Sequence, residues 1–161
     1  MFVRQTAPMI MKNKFLYRLL LSALLVTSFC SFTGHHASNL SNDILAETNK
    51  YRKMKGLPAL ILNGRLSAIA QRHSENMGRG RVAFGHAGFA KRSTEAEQSI
   101  RHIYSCGENV AYGMRSANEV MKGWKNSPGH RKNLLGNYKY IGLGIAKDRR
   151  GRLYFTQFFA G

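Results

Sequence analysis

A chain of 161 residues can hold one domain with a real core, and its 43% hydrophobic and 20% charged content argues against disorder. Twenty-five Lys and Arg against eight Asp and Glu give a formal net charge of +17 and a pI near 10.5. That balance disfavours basic partners and favours anionic ones, whether nucleic acid, phospholipid or polyanionic cell wall, without choosing among them.

The N-terminus narrows the choice. From Met11, "MKNKFLYRLLLSALLVTSFCSFTGHHASN" places Lys12, Lys14 and Arg18 before an uncharged run from Leu19 to Phe32. A cationic start, a short apolar stretch and then small and polar residues make the layout of a secretory signal peptide. The run is shorter than the roughly 20 apolar residues of a spanning helix. Residues 1–37 therefore read as signal peptide and n-region, cut between Cys30 and Ala37, and residues 38–161 as a single domain. An uncleaved, membrane-held form is the alternative, whereas lipid attachment at Cys30 is disfavoured by the large Phe29 before it. Cleavage leaves Cys106 without a disulfide partner, so core packing and hydrogen bonds must hold the fold. The first 30 residues carry four basic and no acidic groups, so the mature chain keeps a net charge of +13. Export disfavours a nucleic-acid partner.

After a linker over residues 31–40, "SNDILAETNKYRKMKG" has a cap at Ser41, early acids, late bases and Gly56 as a stop, which predicts a helix. "LPALILN" is a connection with some strand character. Leu66, Ile69, Ala70, His73 and Met77 recur at helical spacing and form one face of a second helix. "TEAEQSIRHIY" suggests a short helix opened by a Thr94–Glu97 capping box. "SANEVMKGWKNS" suggests another, opened by Ser116 and Glu119, with Val120, Met121 and Trp124 on its buried side. "YIGLGIA" and "RLYFTQFFA" around "KDRRG" predict a hairpin. Helices first and a hairpin last, with no regular βαβ alternation, give an α+β class with an antiparallel sheet.

Four side chains compete for chemistry. His73 on an apolar helix face reads as a hydrogen-bonded core residue. His86 in "FGHAGF" and His130 in "SPGHRKNLL" stand beside glycine in segments that read as loops or element ends, where functional groups concentrate. Glu108 in "SCGENVAYG" lies 22 residues from each of them, too far for a local metal motif. By spacing alone, a joint site and separate loop-capping polar residues both stand.

Taken in order, "ETNKYRKMKGLPALILNGRLSAIAQRHSENM", "FGHAGF", "CGENVAYG", "GWKNSPGHRKNLL" and "YIGLGIAKDRRGRLYFTQFFA" resemble the CAP superfamily of cysteine-rich secretory, antigen 5 and pathogenesis-related 1 proteins, in its short bacterial form. The resemblance covers residues 42–160. It implies a three-layer α-β-α sandwich with a central antiparallel sheet, and a cleft where His86, Glu108 and His130 converge. Many eukaryotic members carry a second glutamate after a tryptophan; here "WKNS" puts Ser127 there, so three residues carry over and not four. Two imidazoles and a carboxylate are a candidate set for Zn²⁺ or another divalent cation; the same three residues also suit a buried hydrogen-bond network.

The leading functional reading is a secreted binding module for a lipid, a membrane or another anionic envelope ligand, assumed monomeric and not an enzyme. The alternative is a hydrolase of peptidase type, with Glu108 activating a water held by His86 and His130. A third reading is a basic polyanion adhesin. Ten basic residues between Arg115 and Arg152, against Glu119 and Asp148, would form its patch.

Overall fold

Alternation along the two C-terminal strands sets the architecture. In the computed structural model, which describes residues 39–161, β3 (Tyr140–Lys147) and β4 (Leu153–Ala160) pair antiparallel as the predicted hairpin. Odd residues Ile141, Leu143, Ile145, Phe155 and Phe159 enter one core, and Phe158 and Ala160 enter another. Successive side chains of a strand point to opposite faces, so a sheet apolar on both faces must be covered twice. The predicted signal segment over residues 1–37, with Cys30, lies outside the described residues, as does most of the predicted linker.

Two further strands complete the sheet in the order β1-β3-β4-β2. Strand β2 (Cys106–Tyr112) runs antiparallel to β4, with Glu108 opposite Phe158. Strand β1 (Ile61–Leu62) pairs parallel with β3, so the sheet is mixed where the sequence predicts an antiparallel one. The cause is local. Asn63 caps the next helix through Arg65 and Leu66 N–H groups, and ends β1 after two residues. The chain then crosses the sheet as a helix instead of turning back as a hairpin.

That helix, α2 (Gly64–Gly78), buries Leu66, Ile69, Ala70, His73 and Met77, the predicted face. It lies directly on β3 because the even positions there are glycine. A Cβ at Gly142 would collide with the backbone of Leu66, and one at Gly144 with that of Ala70. Together with α3 (Phe89–Ser99), α2 forms one outer layer. The other holds α1 (39–54), α4 (Ala117–Asn126) and Leu134 of α5 (Pro128–Leu134). The result is the α+β three-layer sandwich.

Local signals succeed unevenly. Ser116 accepts from Glu119 N–H as expected of the α4 cap, and Gly56 (φ 72°) ends α1. Ser41 is no cap, because α1 already includes residues 39 and 40. The Thr94 capping box is absent as well. Helix α3 starts five residues earlier behind a left-handed Gly88 (φ 78°), and Thr94 Oγ1 donates to Ala90 O within it. Phe89, packed on Phe158 at 5.9 Å, holds that earlier start in place.

Strand β2 lies at the edge of the sheet, yet two of its outward carbonyls are taken. Trp124 Nε1 donates to Val110 O (3.2 Å) and Asn133 Nδ2 to Glu108 O (2.9 Å).

The glycine contact gives the first prediction. Gly144→Ala forces backbone apart and should cost roughly 3 kcal/mol or more in urea unfolding. Gly64→Ala, at a helical position with nothing within 4 Å, should instead gain up to about 1 kcal/mol.

Candidate functional site

The site forms on the α2 side of edge strand β2. Even residues of β2 face α2 and α3, so Glu108 projects into that layer and is 5% exposed. A buried carboxylate needs compensation, and two segments supply it. Arg92, from the first turn of α3, donates Nε to Oε2 and Nη2 to Oε1, both at 2.8 Å, in a bidentate pair. His86 Nδ1 donates to Oε1 at 2.9 Å from the loop between α2 and α3. His73, on α2, comes within 3.7 Å of Oε1.

His73 also sets the loop. Its Nε2 donates to Gly85 O at 2.8 Å, next to His86 in the chain. With the Nε2 proton so used, the 3.3 Å approach of Arg92 Nη2 is a contact between two donors, tolerable because Nη2 is committed to Glu108. The core reading of His73 holds, and the residue gains a second role as support for the loop that carries His86. Arg92 Nη1 donates to Ala87 O (2.8 Å), so one guanidinium fixes both the carboxylate and the loop.

The Nδ1 bond decides what His86 presents. With that proton directed at Glu108, a neutral ring has Nε2 as a free acceptor. The side chain is half exposed, so Nε2 is open to solvent.

His130 arrives from the other side of the strand. It sits in the first turn of α5, a helix begun by Pro128, where the sequence suggested a loop or element end. Its backbone carbonyl accepts from Asn109 Nδ2 (3.2 Å), and Asn109 Oδ1 accepts from Asn133 Nδ2 (3.0 Å). Asn109 thus ties α5 to β2 rather than bracing its own segment. Gly107 leaves room for the Tyr138 hydroxyl and Asn133, as a close approach requires. Burial pushes the His130 imidazole below its ordinary value, and neighbouring His86 adds to the shift. The structure therefore joins His86 to Glu108 by a hydrogen bond and brings His130 into electrostatic reach of His86.

A ligand set of His86, Glu108 and His130 does not fit this geometry. Both carboxylate oxygens already accept from N–H donors, and a divalent cation on Glu108 would stand beside a guanidinium. Among the described residues, no group of three or more His, Cys, Asp and Glu is placed to hold a metal ion.

Sequence reasoning missed Arg92. One arginine among 25 basic residues has no local mark, and the only clue was that a carboxylate in an apolar strand must have a cation nearby. Cys106 is a half-buried free thiol packed beside the α2–α3 core cluster, and burial pushes its pKa up.

A mixed sheet covered by helices on both faces, with a buried glutamate bonded to a half-exposed histidine, makes this an α-β-α sandwich domain. Residues 45–159 match the CAP family, the Cysteine-rich secretory protein family, and the chain belongs to it. It is 35% identical over 114 residues to the uncharacterized protein YkwD of Bacillus subtilis (strain 168), across 69% of this chain and 43% of YkwD. It is also 35% identical over 118 residues to the uncharacterized membrane protein YlbC of the same organism, across 72% of this chain and 33% of YlbC. This chain thus spans less than half the length of these relatives. Among solved structures, an extracellular protein containing a SCP domain from Bacillus anthracis str. Ames superposes with a TM-score of 0.66 at 26% identity, over 77% of this chain and 41% of that one.

Two predictions follow from the charge arrangement. Arg92→Met leaves the buried Glu108 without its guanidinium, with His86 as its remaining donor, and should cost roughly 3–5 kcal/mol. Adding Glu108→Leu should recover part of that loss, and a double-mutant cycle by denaturant unfolding measures the coupling. The second concerns acid. Burial holds His73 below its ordinary value, opposed by Glu108, and His130 is lowered as well. An imidazole with a depressed folded-state pKa binds its proton more readily when unfolded. Stability is therefore complete above about pH 6.5 and falls as the pH drops through the folded-state values. The melting temperature should decline from pH 7.5 towards 5, and His73→Gln should flatten the decline.

Proposed function

We propose that the domain is a secreted binding module acting at or beyond the cell envelope, and that its ligand is received at His86 and His130. The observation that carries this reading is the commitment of Glu108. A general base needs a lone pair and access to water, and this carboxylate is buried with both oxygens bonded to Arg92 and His86. Its work is to hold one imidazole, and the ring offers an acceptor to a hydroxyl or N–H of a ligand.

Secretion is supported by the signal-like N-terminal sequence and by the extracellular relative from Bacillus anthracis. Among the described residues no helix is long and apolar enough to cross a membrane. A lipid with a hydroxylated headgroup suits both the acceptor and the basic surface.

One observation favours the hydrolase alternative in altered form. A histidine oriented through Nδ1 by a buried carboxylate, with Nε2 facing solvent, is also the arrangement of a general base. In that version His86 would take the proton from water and Glu108 would stabilise the resulting imidazolium.

Vesicles containing a hydroxylated lipid, set against vesicles with its O-methylated counterpart, separate the readings. The wild type should bind the first better, and His86→Phe should lose roughly two- to tenfold, the worth of one hydrogen bond. Its melting temperature should fall only slightly, because Arg92 still donates to both carboxylate oxygens. Product release on long incubation that disappears in His86→Phe would replace the binding reading with the hydrolase.

A further inference from the structure

A second recognition surface lies away from Glu108. A groove of about 820 Å³ opens between the C-terminal end of α2 and the β3–β4 turn, and Arg79, Arg81, Lys147, Arg149 and Arg152 line it with one acid, Asp148. The acid is consumed in building the turn. Asp148 Oδ1 accepts from Arg150 and Arg152 N–H groups, and Oδ2 accepts from Arg152 Nε. Arg79 has a loose partner in Glu75 at 3.7 Å. The side chains of Arg81, Lys147 and Arg149 are exposed and face the groove with no acid to neutralise them there.

The helix end does not supply this attraction. A helix C-terminus carries partial negative charge, and here its carbonyls already accept from Arg79, Gly80 and Arg81 N–H groups. The cationic character comes from guanidinium and ammonium groups on two separate segments, held together because Gly78 packs against Lys147 O. Forked guanidinium groups suit carboxylate and phosphate oxygens.

The groove continues into an aromatic strip. Tyr154 lines it and stacks on Tyr112 at 5.7 Å, and Tyr112 meets Phe84 at 4.7 Å with the rings inclined by 59°. Tyr112 and Phe84 are exposed, at 46% and 47%. Tyr112 shares a face of β2 with Glu108 four residues away, about 13 Å along the strand. Phe84 lies two residues before His86. Cations, aromatic rings and the His86 site thus follow one another along a single face.

We propose that this strip binds an acidic glycan chain, with its charged groups in the groove and a sugar ring in the corner formed by Phe84 and Tyr112. The polyanion has to be a chain, because the cations occupy a groove and the aromatic pair lies beyond its end. A nucleic acid fits less well. Tyr112 stacks on Tyr154 and is met by a tilted Phe84, so the exposed rings form one corner and not a row of parallel platforms for successive bases. A bilayer fits less well too, since Met77 and Tyr154 in the groove are buried and the exposed rings of the strip are confined to the Phe84–Tyr112 corner beyond its end. The proposal concerns a surface separate from the His86 ligand site and stands without it.

Fluorescence anisotropy with labelled polygalacturonate tests it, with the methyl-esterified polymer as the neutral counterpart. The acidic polymer should bind, and the ester should bind at least roughly tenfold more weakly. Arg81→Gln with Arg149→Gln should weaken binding roughly tenfold at an unchanged melting temperature. Phe84→Ala should cost a further severalfold, and His86→Phe should have little effect, which separates this surface from the proposed cleft. Affinity unmoved by the arginine changes would overturn the groove. Tighter binding of a 20-mer of dT with the same dependence on Phe84 would replace the glycan by nucleic acid. Preference for phosphatidylglycerol vesicles that survives His86→Phe and is lost with the arginine changes would replace it by a membrane, and complete competition by millimolar inorganic phosphate would reduce the site to a single anion pocket.

Discussion

A carboxylate placed in the dry layer between a strand and two helices must be answered by positive charge or hydrogen-bond donors. Much of the arrangement on that side of the sheet answers Glu108. Helix α3 begins at Phe89, which brings Arg92 in its first turn onto both carboxylate oxygens. The loop before it is held by Arg92 at Ala87 and by His73 at Gly85, and so it delivers His86 to the remaining acceptor site. Loss of the carboxylate would leave a buried guanidinium, an unguided imidazole and a loop with fewer anchors. The same group that orients the functional ring therefore also organises the fold around it, and effects on binding and on stability have to be separated by variants of His86 rather than of Glu108.

The opposite side of β2 is organised by amide groups instead of charge. Asn109 reaches Gln157 on the neighbouring strand and the His130 carbonyl on α5, and Gln157 in turn donates to Thr48 of α1. Buried amides satisfied in this way fix relative position without the desolvation cost of ions. His130 is thereby placed by its backbone, which leaves its ring free, whereas His86 is placed by its ring. The two histidines are not equivalent partners, although each stands beside a glycine in the sequence.

Much of the architecture was legible because it rests on periodicity. Every residue assigned to the apolar face of α2 is buried, the hairpin falls where its turn residues indicated, and Ser116 caps α4. What escaped has specific causes. Gly88 caps α3 with backbone conformation alone and gives no side-chain signal, so the more visible Thr94–Glu97 pattern misled. A two-residue parallel strand has too little length for any pattern. The approach of His86 to Glu108 was suggested by family resemblance and not by spacing, and nothing local distinguishes Arg92 from the other cations. His73 was read correctly as a core residue, but its position over the carboxylate depends on the packing of α2 across β3 and β4.

The two carbonyl contacts from Trp124 and Asn133 along β2 have a consequence for the behaviour of the protein in solution. An uncovered edge strand is a template on which a second chain can add its own strand, the first step of edge-to-edge aggregation. Here the outward carbonyls of Glu108 and Val110 are occupied by side chains of α5 and α4, and on the opposite border β3 pairs with β1 at Tyr140 and Ile141 and beyond them gives the Leu143 and Ile145 N–H groups to Ser67 Oγ and Gln71 Oε1. Neither border of the sheet offers a long unpaired ladder, so the folded domain should resist self-association by strand addition even where its charge is screened. Loss of the indole at position 124 would uncover that border as well as hollow the core.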